Sequence, residues 1–235
     1  MIVAIHQPNF FPWLGYFNKL VRSDIFIVLD DVQFPKKGGT WMNRVQISRE
    51  GSGTWLTAPI DRSFSGVRTV SESRFDSESD WRSTAWRKLD SSYGSASCWS
   101  EIRDTVSGLA HFREDSVMEF NLGAIRGLMG LLGLRLPDLR LSSEFGLAVS
   151  GTERLTALVQ AVGGSAYLCG AGSGGYLETG LFADRGLELR YQNFKPLAYP
   201  QVGADRFIGG LSVLDALANL GTARTAELIQ DAADD

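Results

Sequence analysis

Two short, wholly apolar runs constrain this chain more than any other feature. Ile2 to Ile5 and Ile25 to Leu29 contain no polar residue, the mark of strands covered on both faces. Between them Pro8, Asn9 and Pro12 punctuate a loop. Phe10, Leu14, Phe17, Leu20 and Val21 then recur at helical spacing, predicting a helix over 12–22 that Ser23 and Asp24 end. Strand, loop, helix and strand in that order make two parallel neighbours joined by a right-handed crossover. Open sheets of this kind bind ligands beyond the carboxyl ends of their strands. His6 and Gln7 follow the first strand, and Asp30, Asp31 and Gln33 follow the second, so five polar groups converge on one edge.

The remaining elements extend this plan. Trp41 to Ser48 and Thr54 to Ile60, separated by the Gly51–Gly53 turn, read as a hairpin to which 67–71 adds a third strand. Helices are expected over 80–91, 99–109 and 116–132, and again over 152–162 and 212–220. Short strands are expected over 139–141, 166–169 and 187–192, with a turn or short helix at Phe182 and Ala183. The pattern predicts an α/β fold with a Rossmann-like, mainly parallel sheet, a small antiparallel extension and a helical insertion over about 76–135. With 235 residues and no evident linker, one domain spanning 1–235 is expected.

Composition removes several function classes. The formal net charge of −4 argues against a broad nucleic-acid surface. The start carries no basic and apolar leader, and no run is long enough to span a membrane, so a cytoplasmic protein without a membrane partner is expected. Cys98 and Cys169 lack metal-ligand spacing and only two histidines are present, so no metal site is expected. The chain has no G-K-S or G-K-T phosphate loop and no G-x-S-x-G nucleophile elbow. These features leave the cofactor unknown.

The candidate site residues follow from position and chemistry. His6 can move protons near neutral pH, and Asp30 can orient an amine or hydroxyl. Asp31, its neighbour, points to the opposite face of an extended strand. Lys36, followed by Lys37 and two glycines, suits an anion. Arg44 beside Asn43 lies within a hairpin strand and needs a partner, either Asp30, Asp31 or a ligand carboxylate or phosphate. A second loop follows the 166–169 strand: Gly170, Gly172 and Gly175 fit G-x-G-x-x-G, but no clear helix follows. That loop suits close backbone approach of a ligand, flanked by Tyr167 and Tyr176. Cys169 is a candidate nucleophile at its base, with small-residue packing as the competing role.

HQPNFFPWLGYF, SDIFIVLDDVQF and the following Asn43-Arg44 resemble the start of the WbqC-like protein family. AYLCGAGSGGYL, YQNF and FIGGLSVLDALANLG resemble its later part, in the same order and over nearly the whole chain. The resemblance implies an association with bacterial surface-polysaccharide or specialised-metabolite biosynthesis, and an enzyme that modifies a small activated molecule. The layout is also similar to HIGH-type nucleotidyltransferases, with Trp13-Leu14-Gly15-Tyr16 where their helix begins. Gly15 would then admit a ligand, with Trp13 and Tyr16 as pocket walls.

Three readings follow. The first is a group transferase, moving an acyl or aminoacyl group from a carrier-bound or aminoacyl donor to an amine. The second is a nucleotide-dependent transferase. The third is a binding protein that shields a pathway intermediate.

Overall fold

The computed structural model describes residues 1–170 and 177–231. Its centre is a five-stranded parallel sheet ordered β5-β2-β1-β6-β7. The strands are β1 (Ile2–His6), β2 (Ile25–Val28), β5 (Asp138–Leu141), β6 (Ala166–Gly170) and β7 (Glu188–Gln192). Strands β3 (Arg44–Arg49) and β4 (Ser52–Thr57) form a separate antiparallel hairpin. The α/β, Rossmann-like expectation holds. The chain winds outward from β1 to β2 and β5, then returns to the other side of β1 for β6 and β7. The carboxyl ends of β1 and β6 therefore flank the point where the winding reverses.

The helices are α1 (Leu14–Val21), α2 (Trp81–Tyr93), α3 (Trp99–Ala110), α4 (Val117–Leu131), α5 (Gly151–Ala161), α6 (Thr179–Asp184) and α7 (Val213–Asp231). One sheet face packs Val3, Ile5, Ile27, Tyr167 and Cys169 against Leu158, Val159 and Phe182 of α5 and α6. The other packs Ala4, Phe26, Val28 and Leu168 into a larger core with α1, α7, the hairpin and α2–α4. The segment 67–71 does not join the hairpin. It pairs instead with the chain leaving β2, through Phe34 N–H to Arg68 O, Val70 N–H to Val32 O and Ser71 N–H to Asp30 O. Helix α7 runs on beyond 220 across a kink at Gly221, whose φ of 77° only glycine adopts readily.

The loop between β1 and α1 is fixed from several sides. Phe10 stacks on Phe120 at 5.8 Å and meets Trp81 edge-on at 6.1 Å. Phe11, fully buried, sits at φ 40° while the Ser212 hydroxyl donates to its carbonyl at 2.7 Å. The buried Asn121 amide donates to both Pro8 O (2.9 Å) and Met42 O (2.8 Å). Aromatic packing and these bonds hold a strained turn in one conformation, which a binding loop needs.

Candidate functional site

Register places the site residues. His6 pairs with Val28 of β2, Ala4 with Leu168 of β6, and Gly170 with Gln192 of β7. With the two-residue repeat of a strand, His6 and Gly170 lie on the α1 face of the sheet. The two stretches expected to wall the site thus arise from hydrogen-bonded neighbours. Gly172 and Tyr176 lie outside the described residues.

His6 is partly buried. Its Nδ1–H donates to Gln7 O at 3.0 Å, because a carbonyl can only accept, and this leaves the lone pair on Nε2. The Tyr16 hydroxyl donates to the same carbonyl at 3.1 Å, and the two rings meet edge-on at 5.1 Å. Burial, reinforced by the charge of Lys19, lowers the His6 pKa to about 4, against a smaller opposing effect of the Gln7 bond. The imidazole is therefore neutral near pH 7.

Two cavities meet at this histidine. One, of about 380 Å³, runs between His6, Gln7, Tyr167 and the start of α5 at Thr152 and Arg154. The other, of about 340 Å³, is bounded by His6, Asn9, Trp13, Trp41 and Gly210. Asn9 lines this second cavity, is buried, and among the described residues its Oδ1 has no hydrogen-bond partner. Trp41 is 49% exposed and stands 5.6 Å from Trp55. A wider cleft of about 530 Å³ near Asp80, Arg82, His111 and Arg113 lies beside the start of α2, and its Arg82 is already bound to Phe112 O, Glu114 O and Asp115. It is less suited to chemistry than the smaller cavities at the sheet edge.

A protein-family model, described as the WbqC-like protein family, matches residues 7–227. The chain belongs to the WbqC-like protein family. The WbqC-like chain is also 28% identical over 223 residues to the uncharacterized protein Rv1507c of Mycobacterium tuberculosis, covering 93% of this chain and 94% of the relative. No solved structure matches it.

Several expected site residues of this WbqC-like protein have other work. Asp30 is buried and its carboxylate accepts from Ser143 N–H (2.9 Å) and faces the Ser142 hydroxyl (3.1 Å), fastening β2 to the turn after β5. Asp31 receives the Ser142 hydroxyl at 2.5 Å and the Arg154 guanidinium at 2.5 Å. Burial works to raise the Asp31 pKa, but bonds from Ser142 and Arg154 and the charge of Arg154 hold it below the usual carboxylate range. Neither aspartate meets Arg44, whose guanidinium lies over the Trp55 ring at 4.2 Å. Asn43 is spent on the loop, accepting from Thr40 N–H at 2.9 Å and donating to Ala58 O at 2.8 Å. Gln33 is exposed and its backbone bridges to Thr69. Lys36 lines another cleft of about 530 Å³ with Lys37 and Arg62, sharing no lining residue with the His6 cavities.

The Cys169 side chain lies on the opposite sheet face, fully buried, with its thiol donating to Arg190 O at 3.3 Å. Its surroundings are those of packing. Tyr167, stacked on Phe182 at 5.5 Å, does line a cavity. Gly15 admits no ligand: a Cβ there would lie 2.2 Å from the Trp13 indole, which covers the helix start. Sequence reasoning missed Asn9, Trp41, Arg154 and Lys19. Lys19 is buried on α1 and lies beneath Gly170, where a Cβ would come 3.8 Å from its Nζ. Burial lowers its pKa to about 8, with Cys169 opposing weakly. A polar triplet next to it, in which Gln192 Nε2 donates to Gly15 O (2.7 Å) and Asn18 Oδ1 (2.8 Å), ties α1 to β7.

Proposed function

We propose that the protein is a group-transfer enzyme in which donor and acceptor approach His6 from its two cavities. The reaction that fits best is transfer of an acyl or aminoacyl group to an amine. The observation that carries this reading is that His6 lines both cavities. Its neutral tautomer offers Nε2 as a base. The amine nitrogen attacks the donor carbonyl carbon, a C–N bond forms, and Nε2 takes the amine proton. The bond to the leaving group then breaks, and the proton passes from Nε2 to that group. Asn9 and Trp41 suit an acceptor that combines an apolar face with a hydroxyl or amine, as a sugar or amino metabolite does. The donor is an acyl thioester on a carrier or an aminoacyl conjugate. The family's association with surface-polysaccharide and specialised-metabolite biosynthesis agrees with such a substrate pair.

The sheet order gives a nucleotide-dependent transfer some support, since the same winding holds nucleotides in other proteins. Trp13 lying on Gly15 speaks against a ligand at the helix start. The test is a mass-spectrometric screen of acyl thioesters, aminoacyl conjugates and nucleotides against amine acceptors. A condensation product is expected from the wild-type protein, with the rate in His6→Gln lower by about 10²–10⁴-fold. A His6→Gln protein that transfers at the wild-type rate overturns the reading, and binding without turnover in any pairing assigns a carrier of intermediates instead.

A further inference from the structure

Among the described residues, Lys19 is the only lysine or arginine in the buried class, 5% exposed. The other two buried charged side chains have hydrogen-bond donors: Asp30 has Ser142 and Ser143, and Asp215 has Tyr199 and Gln201 on Oδ2, while its Oδ1 lacks a partner among the described residues. The Lys19 side chain makes no hydrogen bond or ion pair with any described residue, and besides burial only Cys169, not a carboxylate, contributes to its electrostatics. A buried ammonium without a counter-charge is costly enough that such groups are paired or serve a function. Its setting points to the second. Lys19 sits where the winding reverses, beside His6 on β1 and beneath Gly170 at the end of β6. Gly170 keeps the space next to Nζ free of a side chain.

We infer that Lys19 is the anion-binding residue of the crevice, and that the ligand carries a carboxylate or phosphate group which seats against it at the ends of β1 and β6. The missing counter-charge is supplied by the substrate. This deepens the group-transfer reading by giving one substrate an acidic group, and it rests on that reading only for the location of the ligand, not for proton transfer by His6. An acid-bearing amino metabolite, an acidic sugar or a phosphorylated donor all meet the requirement.

The experiment is thermal unfolding of the full chain at pH 7 with inorganic phosphate, acetate or chloride at matched ionic strength. At about 50 mM, an ion held with a Kd of about 5 mM raises the midpoint by about 3 °C over chloride. Wild-type protein and His6→Gln are expected to show the rise, and Lys19→Met to lose it. A response to phosphate but not acetate assigns a phosphoryl group, and the reverse a carboxylate. Lysine-selective NMR of the Lys19 Cε reports the same event directly, the amine pKa moving up when the anion binds. The inference is overturned if neither anion moves the midpoint or the Lys19 resonance relative to chloride. It is equally overturned if Lys19→Met keeps the full rise, which would place the ion at the exposed Lys36–Lys37 loop. Loss of turnover in His6→Gln with anion binding intact leaves it standing.

Discussion

The carboxyl edge of the sheet has two ends built from similar residues and left in opposite states. At the β2–β5 end, Asp30, Asp31, Ser142, Ser143 and Arg154 bind one another, with contacts of 2.5–3.1 Å. At the β1–β6 end, the Asn9 carboxamide oxygen has no hydrogen-bond partner among the described residues, Lys19 is buried with no carboxylate acting on it, and His6 is kept neutral. The first arrangement lowers the cost of buried polarity by pairing it. The second keeps that cost in the folded protein, next to two cavities. Among the described residues Arg154 Nε also lacks a partner, on a residue that lines one His6 cavity, so the unpaired groups of this edge gather around the two cavities, the place where a ligand completes the structure.

Removing a fastener should hurt most. Asp30→Ala deprives Ser143 N–H of its acceptor and opens the β2–β5 junction, so stability falls by about 2–3 kcal/mol in urea unfolding. A loss under about 0.5 kcal/mol would erase the distinction between the two ends.

The opposite sign is expected at Lys19. An unfolded chain holds the lysine proton to about pH 10.5, while the folded protein releases it near pH 8. Below pH 8 the wild-type protein bears the whole cost of a buried charge, and above about 10.5 it bears none. Lys19→Met should therefore be more stable at pH 7, by up to about 3 kcal/mol, with the gain shrinking between pH 8 and 10.5. Equal stability of the two proteins at pH 7 would break the comparison from this side.

His6 sharpens it in acid. The unfolded chain takes up the histidine proton near pH 6.5, the folded protein only near 4. Stability is thus lost as the pH falls across that window, by at most about 3 kcal/mol. In His6→Gln the part of the acid slope between pH 6.5 and 4 should flatten. The smallest stability effect belongs to Trp41, 49% exposed, where Trp41→Ala should leave unfolding within about 0.5 kcal/mol of wild type. The same change should raise KM for the acceptor with kcat held, if Trp41 walls its cavity.

Much of the framework is legible in the sequence. The apolar runs give β1 and β2, and the helix spacing gives α1 with its ends shifted by one or two residues. His6, Gln7 and Tyr167 stand at the edge where a parallel sheet puts ligand-facing groups, and all three line a cavity. The roles of Asp30 and Asp31 could not be read there, because their partner Ser142 lies 112 and 111 positions away. Arg44 was expected to need an acid, yet cross-strand packing gives it the face of Trp55. Gly15 suggested room for a ligand, and the neighbouring Trp13 fills it.

Lys19 shows the limit most plainly. On a helix with one exposed face, a lysine belongs in water. Here α1 is buried from Leu14 to Leu20, with the sheet beneath it and α7, about 200 residues later in the chain, packed against it. The sequence by itself determined the parallel sheet, its order of strands and helices, and the histidine at the end of the first strand, because apolar periodicity and chain direction are local properties. Only the tertiary structure decided which polar groups are paired and which are left for a ligand, because pairing depends on side chains brought together across more than a hundred residues.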